Sequence, residues 1–345
     1  MTKIKLGGIK ILEGCSYLGW SCEEARNPLT DICAHLGSEG INLSQVLHIA
    51  QDATGRSSTS LCTQSGKGFT SYFLVKRNTG LEPILKHDTT ILSVFPHDRS
   101  PRVMGALLEL MGQERMHPAC AASSPSAMSI VVALEDMKAT IDSIFSAFEF
   151  PAYGSPLKWE SAYLGKEQLF KDVVSSYEEQ DIKVYGVLDQ PGLDFWALDL
   201  ERGQLKQAGD AFRQIDTLGA KMAFLAADFS DPEQTALCFC LPALYRAEAT
   251  KALDCHLPRA KRTIQDGVGV FFHGPHFGDR HRIAAALTES METAGIEPLA
   301  FSCAVHSISV ILKAKDLHEG LEAIKTKFHV PCQTLAQNTG KEIKR

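Results

Sequence analysis

The chain has 345 residues, 44% of them hydrophobic and 22% charged, and a net charge of −6. That composition belongs to a soluble globular protein with a large core, and it excludes the broad basic field that nucleic acid binding requires. No apolar run reaches the roughly 18 residues of a membrane helix, and Met1-Thr-Lys-Ile-Lys-Leu-Gly-Gly has no signal core, so a cytoplasmic protein is expected.

In chain order, the first apolar element is Leu6–Glu13, continued by Tyr17–Glu23. A helix is expected over Pro28–Leu36, with strands at Asn42–Ile49 and Thr59–Thr63. Ser65-Gly-Lys-Gly lacks phosphate-loop spacing and reads as a turn between strands. Thr90–Phe95 is β-rich, and Pro101–Gln113 sets Val103, Leu107, Leu110 and Met111 on one helical face. Strands at Met116–Ala121 and Met128–Leu134 and a helix at Asp136–Phe148 follow. The polar stretch 153–180 is a connector, with a short amphipathic helix expected at Phe170–Tyr177. Beyond it the pattern returns: a strand from Tyr185, a helix at Gln204–Leu218, and strands at Lys221–Ala227 and Thr235–Leu241. The last unit reads Gly269–Phe272, Arg282–Ala294, Ile296–Phe301, Ser307–Lys313 and Asp316–Phe328. Most of the ten cysteines stand singly in apolar segments, and Cys238 and Cys240 share one side of a strand, which suits reduced core thiols.

The return is a duplication. Residues 102–148 align without a gap onto 282–328, and ten of the 47 pairs are identical, among them Arg102/Arg282, Leu107/Leu287, Pro118/Pro298 and Phe148/Phe328. Average composition gives about three by chance. The starts correspond as well: Ile4-Lys-Leu-Gly-Gly-Ile with Ile182-Lys-Val-Tyr-Gly-Val, and Leu36…Gly40-Ile-Asn-Leu with Ile215…Gly219-Ala-Lys-Met. Each half repeats again as a β-α-β-β-α-β unit of about 70 residues, the ferredoxin-like layout. The expected fold is α+β: four ferredoxin-like units in two duplicated halves, helices on one face of antiparallel sheets. The expected divisions are 1–85, 86–155, a connector at 156–180, 181–260, 261–335 and a tail at 336–345.

At this level the chain resembles ACT domains. Ser38-Glu-Gly-Ile-Asn-Leu, Thr217-Leu-Gly-Ala-Lys-Met and Thr293-Ala-Gly-Ile-Glu-Pro match the family's turn after the first helix, while the second unit departs with Glu114-Arg115-Met116. The order of pieces resembles the paired ACT region of aspartate kinases, where a short strand precedes the first domain and completes the sheet of the second. Leu6–Glu13 and Tyr185–Gly192 hold that place. The resemblance implies ligand binding where two domains pack side by side, around the loop after the first strand and the N-terminus of the first helix. The catalytic part of such a kinase is not found in the sequence.

Two loops carry the candidate ligand residues. Pro96-His-Asp-Arg-Ser-Pro-Arg102 supplies His97, Asp98, Arg99, Ser100 and Arg102; Gly274-Pro-His-Phe-Gly-Asp-Arg-His-Arg282 supplies Gly274, Pro275, His276, Asp279, Arg280 and Arg282. Arginine at a helix start opposes the dipole unless an anion is near, so the arginine pairs suit a carboxylate or phosphate. Asp98 and Asp279 suit an ammonium or hold the arginines. A solvated loop of local ion pairs is the competing account. The loops 23–27 and 199–203 are less charged and weaker candidates. His273, His276 and His281 with Asp279 raise a metal site, but the equivalent loop offers His97 alone, and no metal or other cofactor is expected.

The functional expectation is a non-catalytic regulatory protein, a homodimer, that binds an amino acid at ACT interfaces and signals to a partner enzyme of amino-acid metabolism. A metal-dependent protein or enzyme using loop 273–282, and a structural module without ligand, are the alternatives.

Overall fold

The computed structural model describes residues 3–22, 28–113, 116–153, 155–159, 182–274, 282–304 and 307–330. The connector helix expected at 170–177 and the 336–345 tail lie outside them.

Two long strands organise the chain. Strand β2 (Gly8–Cys22) follows the short β1 (Ile4–Lys5) and pairs along Gly8–Gly19 with β5 (Ile84–Phe95). From Cys15 onward it also pairs, on its other side, with β4 (Ser57–Gln64), which pairs with β3 (Leu43–Ile49). One strand thus serves two consecutive units. β5 continues into β7 (Met128–Ala133) and β6 (Cys120–Ser123). The short β8 (Phe148–Glu149) lies parallel to β1.

The second half repeats this. After β9 (Ile182–Lys183), β10 (Gly186–Glu201) pairs with both β12 (Gln234–Pro242) and β13 (Lys261–His273). β11 (Phe224–Asp228) pairs with β12, β14 (Ala300–Cys303) with β15 (Ser307–Lys313), and β16 (Phe328–His329) with β9. Contacts between halves join β6 to β11 and β3 to β14. Among the described residues, twelve strands close into one ring. The expected α+β character holds as a mixed fold with a large antiparallel sheet.

The helices coat the outside in two layers. One holds α3 (Pro101–Met111), α4 (Met137–Ala147), α5 (Leu205–Asp216) and α6 (Arg246–His256). The other holds α1 (Leu29–Ser38), α2 (Gly68–Thr79), α7 (Ile283–Thr293) and α8 (Leu317–Lys327). The two-residue period of a strand sorts its side chains between layers. On β12, Leu237, Phe239 and Leu241 face the helices, while Cys238 and Cys240 face the ring interior. That interior is rich in small residues such as Ala122, Ala226, Cys120 and Ala300. Facing sheets about 10 Å apart leave little room for larger ones. Among the described residues nine cysteines are free thiols, all buried except Cys255. Burial pushes the Cys238 and Cys303 thiols far up, so they remain protonated.

Three expectations are corrected. Ser65-Gly-Lys-Gly does not join two strands: it turns β4 into α2, which begins at Gly68. The strand expected at Met116–Ala121 starts at Cys120, and that expected at Ile296–Phe301 starts at Ala300. Pro118 and Pro298, at the same repeat position, have no N–H to join a ladder. Among the described residues this ring has no open edge.

Candidate functional site

Each half-to-half boundary brings the first helix of one unit against that of another: α3 against α5, and α1 against α7. These are the places where helix N-termini, with unpaired N–H groups, meet a neighbour. The repeat makes them comparable residue by residue, and they differ.

At the α3–α5 boundary the helix start is already capped. Ser100 is the N-cap of α3 and its Oγ accepts from the Val103 N–H. The same Oγ donates to Asp216 Oδ1 (2.8 Å), which also accepts the Arg102 N–H (3.2 Å). Asp216 ends α5, where a negative charge opposes its own helix dipole; at the start of α3 the charge is favourable. The loop before α3 is equally engaged. His97 is buried, its Nδ1 accepts from the Arg99 N–H (2.9 Å), and its Nε2 donates to Ser124 O (2.8 Å). Burial holds its pKa below the usual range, in keeping with this neutral tautomer. Arg99 donates to Gln190 Oε1 (2.9 Å), stands 5.5 Å from the Phe271 ring, and lends its carbonyl to the Met222 N–H. Asp98 offers its carbonyl to Lys221. Asp98 and Arg99 have φ of 51° and 54°, left-handed values that this ring of partners sustains. Of the candidates in this loop, only the side chains of Asp98 and Arg102 are exposed.

The α1–α7 boundary is built differently. Arg282 is the N-cap of α7 with φ 70°, and no side chain caps the helix among the described residues. The repeat aligns Gly37 with Asp216. The same turn confirms the register: Gly40 N–H bonds to Gly37 O, and Gly219 N–H to Asp216 O. The capping carboxylate of one boundary is thus a glycine at the other. The Arg282 side chain lies on Gly37: a Cβ added there would sit 2.7 Å from Arg282 Cγ. A small recess beside it is lined by Cys33, Gly37, Ile41, Arg282 and Ile283. Gly274 is buried at the end of β13. Pro275, His276, Asp279 and Arg280 lie outside the described residues, so Arg282 and Gly274 are the members of that loop that can be located. Among the described residues no three His, Cys, Asp or Glu side chains gather as for a metal. No helix there is long and apolar enough to cross a membrane. Asp216 and Gly37 are the residues that the sequence reading missed. Their signal was in the alignment of the halves, but the pairing of Asp216 with a helix start 114 residues away was not.

No protein-family model matches the sequence, and no curated protein matches it. Solved structures do. The chain superposes on aspartate kinase from Synechocystis with a TM-score of 0.72 at 10% identity, over 95% of this chain and 56% of that one. The chain therefore spans little more than half of that kinase's length. A smaller likeness is to the regulatory subunit of aspartate kinase from Thermus thermophilus: 18% identity, TM-score 0.38, 42% of this chain and 99% of that one. The first match establishes the fold, and it corrects the functional expectation. A fold shared along 95% of the chain with an enzyme overturns the reading as a non-catalytic regulatory protein.

Proposed function

We propose that the chain works in an aspartate-kinase-like enzyme, as four ACT-type units that take up an amino acid and pass its binding on to the kinase reaction. The Synechocystis likeness supports the enzyme class. The pairing of Gly37 with Arg282 supports the effector and its place, because among the described residues no carboxylate stands at the α7 start as Asp216 does at the sister boundary. A free amino acid brings a carboxylate to the α7 N-terminus, where unpaired N–H groups and the Arg282 guanidinium receive it. The ligand then bridges two halves of the ring, so it favours one arrangement of them over others.

The test is aspartate-dependent ATP turnover by the enzyme in which the chain works, measured with each amino acid added in turn, alongside thermal melting of the chain. One amino acid is expected to change the rate and to raise Tm, by about 2.7 kcal/mol of stabilisation at a hundredfold excess over Kd. Gly37→Asp supplies a carboxylate at the α7 start and should abolish the response; Arg282→Gly, which also relieves the left-handed backbone, should weaken it at least tenfold. An enzyme without aspartate-dependent turnover sinks the kinase reading. An effector response indifferent to both substitutions sinks the site.

A further inference from the structure

The halves also differ at one end of the ring. Where β2, β3, β5, the 124–127 turn and the ends of β13 and β15 converge, they line an open pocket of 580 Å³. Strand registers give its counterpart in the other half without ambiguity. Lys10 pairs with Ser93 as Leu188 pairs with Phe271, and Gln45 pairs with Cys62 as Phe224 pairs with Cys240. Two buried phenylalanines, Phe224 and Phe271, thus fill in the second half the positions that Gln45 and Ser93 hold in the first. The Arg99 guanidinium covers Phe271 from outside. The pocket exists because the first half carries polar, smaller side chains at two positions where its duplicate carries rings.

These side chains are suited to a ligand rather than to filling. Gln45 is 2% exposed; its Nε2 donates to Cys120 Sγ (3.7 Å), while its Oε1 has no hydrogen-bond partner. Buried amide oxygens are seldom left so. Leu12, Ile91 and Phe95 give apolar walls, and Lys10 and His273 bring basic groups to the rim. The opposite wall is fixed in advance. Ser93 and Ser129 hydroxyls bond to each other (2.8 Å), and the Ser124–Ala127 turn is pinned by its own bonds and by His97. A preformed, mostly apolar space with a few convergent polar groups is how small-molecule sites are built, and its volume lies within their usual range of about 300–1,000 Å³.

We propose that this pocket is a ligand site, distinct from the α1–α7 boundary, for an amphipathic organic anion with an N–H or O–H donor: the donor meets Gln45 Oε1, the apolar body lies between Leu12, Ile91 and Phe95, and the anionic group faces Lys10. The inference does not depend on the amino-acid reading. The probe is 8-anilinonaphthalene-1-sulfonate, which carries all three features, titrated by fluorescence into the full chain. Saturable binding of one probe per chain is expected. Gln45→Phe with Ser93→Phe rebuilds the second half's filling and should weaken binding at least tenfold in a protein that still melts cooperatively. Lys10→Leu, which copies Leu188 at an exposed position and leaves the core alone, should weaken it about tenfold and keeps the test open if the double variant does not fold. Gly37→Asp should leave it unchanged. Absence of saturable binding to the wild-type chain, or equal affinity in the wild-type and Lys10→Leu proteins, overturns the proposal.

Discussion

Asp216 and Gly37 show how much one position decides. Both sit at the end of a first helix, and the residue there determines whether that helix brings a carboxylate to the facing helix start. A second position acts through pH. His48 is buried on β3, its Nδ1 3.0 Å from Thr59 Oγ1, and burial pushes its pKa down to about 4 from 6.5. The folded protein therefore keeps His48 neutral at pH values where the unfolded chain protonates it. Above pH 6.5 both states are neutral and nothing is lost; as pH falls from about 6.5 towards 4, the unfolded state gains protons and stability drops, by about 3 kcal/mol across the window. Asp228 works in the opposite sense, because burial raises its pKa and outweighs the hydrogen bonds from Ser60 and Ser230 that favour its ionised form. Urea unfolding at pH 7 and pH 4.5 is expected to show a lower midpoint at pH 4.5, and His48→Phe, packed beside Phe301, should flatten that difference. An unchanged pH slope in that variant would assign the acid sensitivity elsewhere.

Among the elements, α3 and α5 meet through glycines. A Cβ on Gly105 would lie 2.8 Å from Gly209 O, and one on Gly209 would lie 2.6 Å from Gly105 O. Backbone oxygens cannot swing aside as side chains do, so Gly105→Ala should cost about 1–3 kcal/mol of overpacking despite its gain in helix propensity. Thermal melting checks this; a Tm equal to or above wild type would mean that the helices separate without cost. The same elements show what the sequence could reveal. α3 was legible because Val103, Leu107, Leu110 and Met111 fall on one face and Ser100-Pro101 marks its start, and all four are buried. α2 was not, because its Phe69 and Phe73 point to solvent and its buried side consists of Gly68, Ser71 and Val75. Helical periodicity reads apolar faces and fails where the buried face is small and polar. The candidate loop 96–102 was legible as a charged cluster before a helix. Its partners Gln190, Asp216 and Met222 lie in the other half of the chain, and no local pattern connects them.

For the molecule as a whole, duplication supplied two copies of each boundary and each end of the ring, and the copies have diverged in complementary ways. The second half fills its part of the interior with Phe224 and Phe271, and the α3–α5 boundary caps itself with Asp216. Among the described residues, the counterpart of each is a place with polar atoms and a basic side chain nearby: the pocket of Gln45 and Lys10, and the α7 start with Arg282. On the proposed reading one effector binds per chain, because among the described residues one boundary has no carboxylate at its helix start. Asp216→Gly should make the two boundaries alike at this position. It removes the acceptor for Ser100 Oγ and the Arg102 N–H, leaves the Ser100 cap in place, and should lower stability by about 1 kcal/mol, the usual net worth of a hydrogen bond. It also vacates the carboxylate's place at a second helix start, beside Arg102 and the Ser100 cap, so calorimetry with the proposed effector should then give two sites per chain instead of one, and saturating effector should recover the lost Tm. Two sites per wild-type chain would show that Asp216 yields to the ligand rather than replacing it.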